Sequence, residues 1–424
     1  MNKTIFEKKE IGEQYIYAEH ESGLSIYICP KAAYSSAYAM FGTKYGSIDT
    51  KFRVDGGEEI TVPEGIAHFL EHKLFESEDG DAFSRYAKTG ASANAYTSFD
   101  RTCYLFSCSD KFEENFDILL DFVQSPYFTK ETVDKEQGII GQEIRMYDDS
   151  PGWRVLFNLL QAMYENHPVR IDIAGTVESI AQINDKLLYQ CYNAFYNLNN
   201  MFICVAGNVD PDAVLAQVER ALKNTRKVQV ERGSFNEPDG VKTDFVSQQF
   251  EVAVPLFTIG FKEKIDTPER SLKEILTTEV LLDMLIGPTS LLYERLIDAG
   301  LINANFDTEY FNGHGYAVPM FSGESFDAKA VARQIQAELA RFKAEGLDKQ
   351  LFESVRKSKY GHAVMQFNSV ESIAGGLVEA AMQKNGLFDD LDILREMTVE
   401  DVEKRLEIFR DDNMVLSLIE PIAK

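Results

Sequence analysis

Apolar and polar positions alternate in two stretches near the start of the chain. Residues 24–43 and 91–108 are rich in β-branched and aromatic side chains with a period of two, which predicts strands. Residues 109–125 and 129–149 carry apolar side chains at helical spacing instead. The pattern therefore predicts strands alternating with helices in this part of the chain.

A polar stretch divides the chain near its middle. From Lys223 to Gln248 the apolar periodicity is lost, and Pro and Gly occur together in NEPDG. We place the domain boundary here, with a first domain at residues 1–225, a linker at 226–244 and a second domain at 245–424.

The two predicted domains end in similar patterns. In the first, a helix precedes the run LNNMFICVAG, and in the second a helix precedes DDNMVLSLIE, so that Asn200 corresponds to Asn413. This similarity predicts an internal duplication.

Charge and composition narrow the classes of function. The chain of 424 residues carries 43 Lys and Arg against 68 Asp and Glu, a formal net charge of -25. This charge repels phosphate backbones and anionic lipids, so we expect neither a nucleic-acid nor a membrane partner. No apolar run approaches the roughly 20 residues that span a bilayer, and the five cysteines include no C-x-x-C pair. We expect a soluble, cytoplasmic protein with buried thiols.

A short histidine motif carries the candidate chemistry. His68 and His72 lie four residues apart, with Glu71 between them, in a chain of only six histidines. Thr61 and Glu64 resemble a capping box, which predicts a helix that begins just before His68.

On a helix, the imidazoles of His68 and His72 share one face and can bind a single tetrahedral ion. Glu71 lies beside them, where its carboxylate can take the proton of a metal-bound water during attack on a carbonyl. The order of residues is H-x-x-E-H, the inverted form of the zinc-peptidase motif.

A third metal ligand is required, and the predicted helix at 129–149 offers two. Glu136 and Glu143 are seven residues apart and therefore lie on the same helix face. By spacing alone, either carboxylate can bind the metal while the other supports a histidine.

Other interpretations of the motif are weaker. A di-iron bundle needs Glu-x-x-His on two helices, and none of the six histidines has a glutamate three positions earlier. A purely structural zinc site favours four protein ligands, often thiolates, whereas the sequence offers three ligands and no cysteine motif.

Four stretches resemble the insulinase/pitrilysin family of zinc peptidases, which includes mitochondrial processing peptidase. They are EGIAHFLEH, residues 90–104, residues 136–151 and NNMFICVAGNVDPD. The resemblance implies one Zn²⁺ per chain, held by three ligands, with a general base and a supporting carboxylate. The implied ligands are His68, His72 and Glu143, the base is Glu71, and the supporting carboxylate is Glu136.

The resemblance also implies a fold and a mode of substrate binding. The fold would be α+β, with two similar domains that each cover a mostly antiparallel sheet with helices and together form a clam-like chamber. Peptides would add as a strand to the edge strand that begins at Asn94 and Ala95.

One departure from the family concerns the second domain. The family commonly places an Arg and a Tyr seven residues apart to stabilise the oxyanion. Here Arg295 is present, but position 302 is Ile. An isoleucine donates no hydrogen bond, so we expect a dimer, either of this chain or with a related subunit that supplies the Arg/Tyr pair. Tyr310 or Tyr316 is a local substitute, although packing on a strand is the better interpretation of both.

Two functions follow from this reasoning. The first is a zinc-dependent endopeptidase that cleaves peptides or unfolded segments bound in extended form. The alternative is a non-catalytic peptide-binding or structural subunit of a larger complex. Both histidines, Glu71 and the downstream glutamate pair are intact, which favours the enzyme.

Overall fold

The computed structural model describes residues 1–78 and 80–422. Its strands are numbered in chain order as β1 Asn2–Lys8, β2 Glu13–Glu19, β3 Ser25–Pro30, β4 Ala37–Thr43, β5 Lys51–Val54, β6 Ile60–Thr61, β7 Glu76–Ser77, β8 Gly80–Asp81, β9 Ser92–Thr97, β10 Thr102–Cys108, β11 Met201–Gly207, β12 Val230–Arg232, β13 Phe245–Phe250, β14 Leu256–Phe261, β15 Asp307–Gly313, β16 Tyr316–Glu324 and β17 Met414–Pro421.

The α-helices are α1 Ile66–Leu74, α2 Ala82–Thr89, α3 Phe112–Val123, α4 Lys130–Asp148, α5 Pro151–Met163, α6 Val177–Ile180, α7 Asp185–Phe195, α8 Pro211–Ala221, α9 Leu272–Ile286, α10 Leu291–Asp298, α11 Ala328–Glu345, α12 Lys349–Met365, α13 Val370–Gln383, α14 Asp389–Glu396 and α15 Val399–Lys404. The strands predicted within residues 24–43 and 91–108 are confirmed as β3, β4, β9 and β10, and the two predicted helices are α3 and α4.

The first compact unit is built on a seven-stranded sheet in the order β1-β2-β3-β11-β4-β10-β9. Only β3 and β11 pair in parallel. All seven residues of β11 are buried, so this strand is covered on both faces of the sheet. Helix α3 packs on β4 and β10, α1 packs on β9, and α13 packs on β11, β4 and β3.

The second compact unit is built on a five-stranded sheet in the order β13-β17-β14-β16-β15. Its β13–β17 pair is parallel and the other pairs are antiparallel. Helix α5 packs on β17, β14 and β13, and α9 packs on β15. The predicted fold class, α+β with two similar domains and mostly antiparallel sheets, is confirmed.

The two sheets match residue by residue at one corner, as a duplication requires. The amide of Asn200 donates to the carbonyls of Lys44 and Phe195, at 3.2 and 2.9 Å. The amide of Asn413 donates in the same way to the carbonyls of Lys262 and Ile408, at 2.7 and 2.8 Å. The predicted correspondence of Asn200 with Asn413 therefore extends to their hydrogen bonds.

The compact units are not continuous in sequence. The first consists of Met1–Ile144, Asp172–Ser234 and Val364–Phe388, and the second contains Arg145–Ile171, Phe235–Ala363 and the residues from Asp389 onward. The change at Ser234 lies within the predicted linker. The predicted domains at 1–225 and 245–424 differ from these units at two helices. Helix α5 belongs to the second unit, and helix α13 belongs to the first.

Two further expectations concern composition. The five cysteines are all buried and free, as predicted. Across the described residues, no single helix is long and apolar enough to cross a membrane, while the bent pair α9 and α10 meets the length and composition criteria together.

Candidate metal centre

The helix that carries the histidine pair begins at a glycine. Gly65 is the N-cap of α1 with φ 85° and makes no side-chain capping hydrogen bond. The predicted capping box of Thr61 and Glu64 is therefore wrong, because Thr61 lies in β6 and α1 begins only at Ile66. A Cβ at Gly65 would lie 2.3 Å from the carbonyl oxygen of Ala174, so the chain needs glycine here.

Helix α1 is buried over nearly its whole length. His68 and Glu71 are 9% and 8% exposed, and His72 is partly exposed. The i, i+4 spacing places the two imidazole rings 4.6 Å apart between their centroids. The predicted pair of histidines thus lies on one face of a helix.

Helix α4 brings Glu143 to this pair. His68 Nε2 lies 3.7 Å from Glu143 Oε1, and His72 Nε2 lies 3.5 Å from Glu143 Oε2. One ligand atom from each of the three residues lies within 4.8 Å of the others. Spacing left Glu136 and Glu143 as equal candidates, and the structure places Glu143 with the two histidines.

Glu136 lies on the other side of His72. The Nδ1–H of His72 donates to Glu136 Oε1 at 3.1 Å, which leaves Nε2 free to face Glu143. The buried Lys73 contacts the same carboxylate, with Nζ 4.0 Å from Glu136 Oε2, and it donates to the carbonyl of Thr132 at 3.3 Å. Lys73 therefore links α1 to α4 behind the ligands.

The two histidines have opposite electrostatic environments. Burial, reinforced by the charge of His72, lowers the pKa of His68 to about 3, so its imidazole is neutral near pH 7. Burial also opposes the charged form of His72, but the hydrogen bond to Glu136 and the nearby carboxylates outweigh burial and raise its pKa. The Nδ1 atom of His68 is buried and has no hydrogen-bond partner within residues 1–78 and 80–422.

The carboxylates of Glu71 and Glu136 also have shifted pKa values. Burial raises the pKa of Glu71, although a hydrogen bond from Thr97 and the charge of His72 oppose this rise. Burial also acts to raise the pKa of Glu136, but the hydrogen bond from His72 and the charge of Lys73 lower it overall. Glu136 is therefore a charged acceptor for His72.

The three residues fit a zinc ion. A tetrahedral zinc with ligands about 2.0 to 2.1 Å away separates neighbouring ligand atoms by about 3.3 Å. The two imidazole nitrogens lie 3.7 and 3.5 Å from different oxygens of Glu143, and one ligand atom of each residue lies within 4.8 Å of the others, so the three side chains must move closer together to bind one ion. Neutral imidazole is the form that coordinates a metal. Three protein ligands also leave one position open, as in catalytic zinc sites.

The strand with Asn94 and Ala95 lies at an edge. Strand β9 pairs with β10 on one side and ends the seven-stranded sheet on the other. The side chain of Asn94 accepts a hydrogen bond from the N–H of Ala95 at 2.9 Å. The predicted edge strand is present, and it packs against α1, the helix of the histidine pair.

The residues predicted in the second domain have local partners in the second unit. Arg295 donates to Glu338 at 2.9 Å, and its side chain is 53% exposed. Ile302 is buried. Tyr310 donates to Glu263 at 2.6 Å, and Tyr316 packs against His167 with ring centroids 5.6 Å apart. Both tyrosines are buried, in agreement with packing on a strand.

Sequence reasoning did not single out Lys73 or Thr97. Lys73 directly follows His72 and looks like an ordinary helix residue until its full burial is known. Thr97 lies two residues after Ala95, so the period of two in β9 places it on the same face as Ala95. That alternation was the one available signal for Thr97.

Two family models together match most of the chain. Residues 57–177 match the family model described as Insulinase (Peptidase family M16), and residues 182–359 match the model described as Peptidase M16 inactive domain. The "Uncharacterized zinc protease YmfH" of Bacillus subtilis (strain 168) is 41% identical over 407 residues, which cover 95% of each chain.

Solved structures show the same similarity. A putative M16-like peptidase from Alicyclobacillus acidocaldarius has 37% identity and a TM-score of 0.92, covering 96% of this chain and 98% of that one. A protease from Helicobacter pylori shares the fold with a TM-score of 0.83 at 20% identity, covering 96% of this chain and 100% of that one. The relatives with 41% and 37% identity are described as a zinc protease and an M16-like peptidase. The chain belongs to the insulinase family, peptidase family M16.

Proposed function

We propose that this protein is a zinc-dependent endopeptidase that cleaves peptides or unfolded segments. The observation that carries the proposal is the convergence of His68, His72 and Glu143 within 4.8 Å, with Glu71 on the same helix as the two histidines. We assign one zinc ion to each chain at these ligands. The names of the relatives, zinc proteases, support the choice of metal.

A bound zinc ion supplies Lewis acidity, which polarises the scissile carbonyl and makes water acidic near neutral pH. Glu71 takes a proton from the attacking water as the water oxygen bonds to the carbonyl carbon. The C–N bond then breaks, and Glu71 returns the proton to the departing amine nitrogen. Glu136 keeps the Nδ1–H of His72 in place, so that its Nε2 faces the metal position.

Substrate binding is assigned to the free edge of β9. An extended peptide satisfies its N–H and C=O groups against an unpaired strand, which selects backbone over side chains. The edge strand packs against α1, so a peptide added there lies beside the helix that carries Glu71. Asn94 and Ala95 are the substrate-binding residues of this proposal.

The proposed reaction also needs a group that donates a hydrogen bond to the oxyanion. The buried Ile302 donates no hydrogen bond, and Arg295 is paired with Glu338. We therefore propose that the active form is a dimer, and that a related subunit with an Arg/Tyr pair is the partner to seek by co-purification. A cytoplasmic location remains part of this proposal.

Metal analysis and hydrolysis together test the proposed function. Zinc content of purified protein should fall from one ion per chain to near zero in His68→Ala. The matched control is His362→Ala, which removes an exposed histidine of α12 and should retain the metal. Retention of zinc by His68→Ala would place the site elsewhere.

The general base is tested by Glu71→Gln. This variant should keep zinc but lose hydrolysis of quenched peptides, because the amide does not take up the proton. Unchanged hydrolysis would refute the mechanism. A wild-type protein that binds zinc yet cleaves no peptide of a broad library, alone or with its co-purified partner, would favour a non-catalytic subunit.

A further inference from the structure

A threonine hydroxyl contacts the proposed general base. The Oγ1 of Thr97 donates to Glu71 Oε2 at 2.7 Å. The neighbouring Thr102 hydroxyl lies 3.4 Å from Thr97 Oγ1, but its hydrogen is directed at the carbonyl of Tyr45 at 2.9 Å. Because a hydroxyl has a single hydrogen to donate, that of Thr97 is committed to the carboxylate.

The same threonine is the last residue of the edge strand. Ala93, Ala95 and Thr97 are the alternate, partly buried residues of β9, and the two alanines pack against the hydrophobic core of the first unit. Thr97 therefore joins Glu71 on α1 to the strand whose free edge we assign to the substrate. Its hydrogen bond adds to the packing of α1 on β9 and fixes the base relative to that strand.

We propose that Thr97 is a positioning residue for catalysis, which holds one oxygen of the Glu71 carboxylate so that the other faces the attacking water at a fixed distance from a peptide on β9. This inference rests on the proposed function. A carboxylate held in one rotamer is preorganised for proton transfer, whereas a free one samples other orientations.

The duplicated sheet provides an independent observation. In the first unit Thr97 pairs with Thr102, which pairs with Thr43, which pairs with Met201 at the start of β11. In the second unit Met414, at the start of β17, pairs with Phe261. The β14–β16 register ends at Gly260 with Met320, and extending it by one residue from Phe261 leads to Pro319, which pairs with Tyr310 in β15.

Tyr310 also donates its hydroxyl hydrogen to a buried carboxylate, that of Glu263, at 2.6 Å. There, however, Arg405 donates to both oxygens of Glu263, at 2.9 and 2.8 Å. The side chain at this position therefore donates to a carboxylate in both units, although Glu71 lies on α1 and Glu263 follows β14. Among the described residues, an arginine donates to Glu263 and none is seen to donate to Glu71.

The test compares two substitutions that differ by the hydroxyl. Thr97→Val keeps the side-chain shape but removes the donor, and Thr97→Ser keeps the donor. We expect kcat of Thr97→Val to fall by about 10- to 100-fold, the usual effect of losing a supporting hydrogen bond in a metal site, with KM and zinc content unchanged. Thr97→Ser should recover most of the lost kcat.

Peptide binding by a catalytically inactive variant distinguishes a positioning role of Thr97 from a purely structural one. Peptide affinity should be equal in Glu71→Gln and in the double variant Glu71→Gln/Thr97→Val, because strand addition uses the backbone of β9. Should Thr97→Val fail to fold, Thr97→Ala replaces it in the same comparison.

Three results overturn the inference: a wild-type kcat in Thr97→Val, a Thr97→Ser variant as slow as Thr97→Val, or a loss of peptide affinity and zinc that matches the loss of kcat. The proposed function fails separately, if Glu71→Gln itself retains turnover.

Discussion

At the scale of single residues, the metal centre depends on a glycine that binds nothing. Gly65 starts α1 in a left-handed conformation, three residues before His68. Its Cα lies against the backbone of Ala174, and the adjacent Glu64 carbonyl accepts a hydrogen bond from Ser179 at 2.9 Å. The direction of α1, and so of both imidazoles, is set by this close approach.

We expect Gly65→Ala to destabilise the protein by more than about 2 kcal/mol, because a left-handed alanine costs about 1 to 2 kcal/mol before any clash. The contact at 2.3 Å is with a carbonyl oxygen of the backbone, which has little freedom to move. Zinc affinity should fall as well. Urea denaturation and zinc titration measure the two effects.

The matched control is Gly361→Ala, in the interior of α12. An added Cβ there meets no atom within 4 Å, and the φ of this glycine is not positive. Alanine should therefore stabilise the helix by about 0.5 to 1 kcal/mol. Equal stability of the Gly65 and Gly361 variants would show that the conformation of Gly65 is not needed.

Sequence reasoning succeeded for residues that lie close together in the chain, within one helix. The face shared by His68 and His72 follows from a spacing of four, and the common face of Glu136 and Glu143 follows from a spacing of seven. The choice between those glutamates, the start of α1 at Gly65 and the Thr97 hydrogen bond all depend on packing between distant segments. No local pattern carries that information.

At the scale of elements, the edge strand β9 brings recognition and chemistry together. Its alternation places Ala93, Ala95 and Thr97 towards the core. Among the strands of the described residues, its outer edge has no partner. The strand itself was predicted from alternation, and its place at the edge was implied only by family resemblance. Strand order depends on pairing between distant segments, such as the parallel pairing of β3 with β11.

Backbone recognition at this edge predicts a periodic response to N-methylation of a peptide substrate. Alternate residues of an added strand direct their N–H groups at the edge, while the others direct them away. Methylating an inward N–H should cost about 1 kcal/mol, or about fivefold in KM, and methylating its neighbours should cost little. Affinities for Glu71→Gln should show the same period. A response without period would argue against strand addition at β9.

At the scale of the whole molecule, the chain exchanges one helix between its two halves. Helix α5 lies in the first half of the sequence but packs on the sheet of the second unit, and α13 does the reverse. Gly260 in β14 permits this packing, because an added Cβ would lie 2.9 Å from Leu159 and 3.0 Å from Met163 of α5. The polar stretch at the boundary is visible in the sequence. Both exchanged helices have ordinary amphipathic patterns, which do not indicate the sheet that each helix packs against.

The exchange predicts that neither half folds alone. A fragment of residues 1–234 lacks α13, which covers β11, β4 and β3, and a fragment of residues 235–424 lacks α5, which covers β17, β14 and β13. Each would expose an apolar sheet face, so we expect both to lack cooperative unfolding and the first to bind zinc weakly.

Mixing the two fragments should restore zinc binding and cooperative melting. Trp153 of α5, the only tryptophan, reports docking of this helix by its emission. A fragment 1–234 that melts cooperatively and binds zinc like the intact chain would show that α13 is dispensable to the first unit.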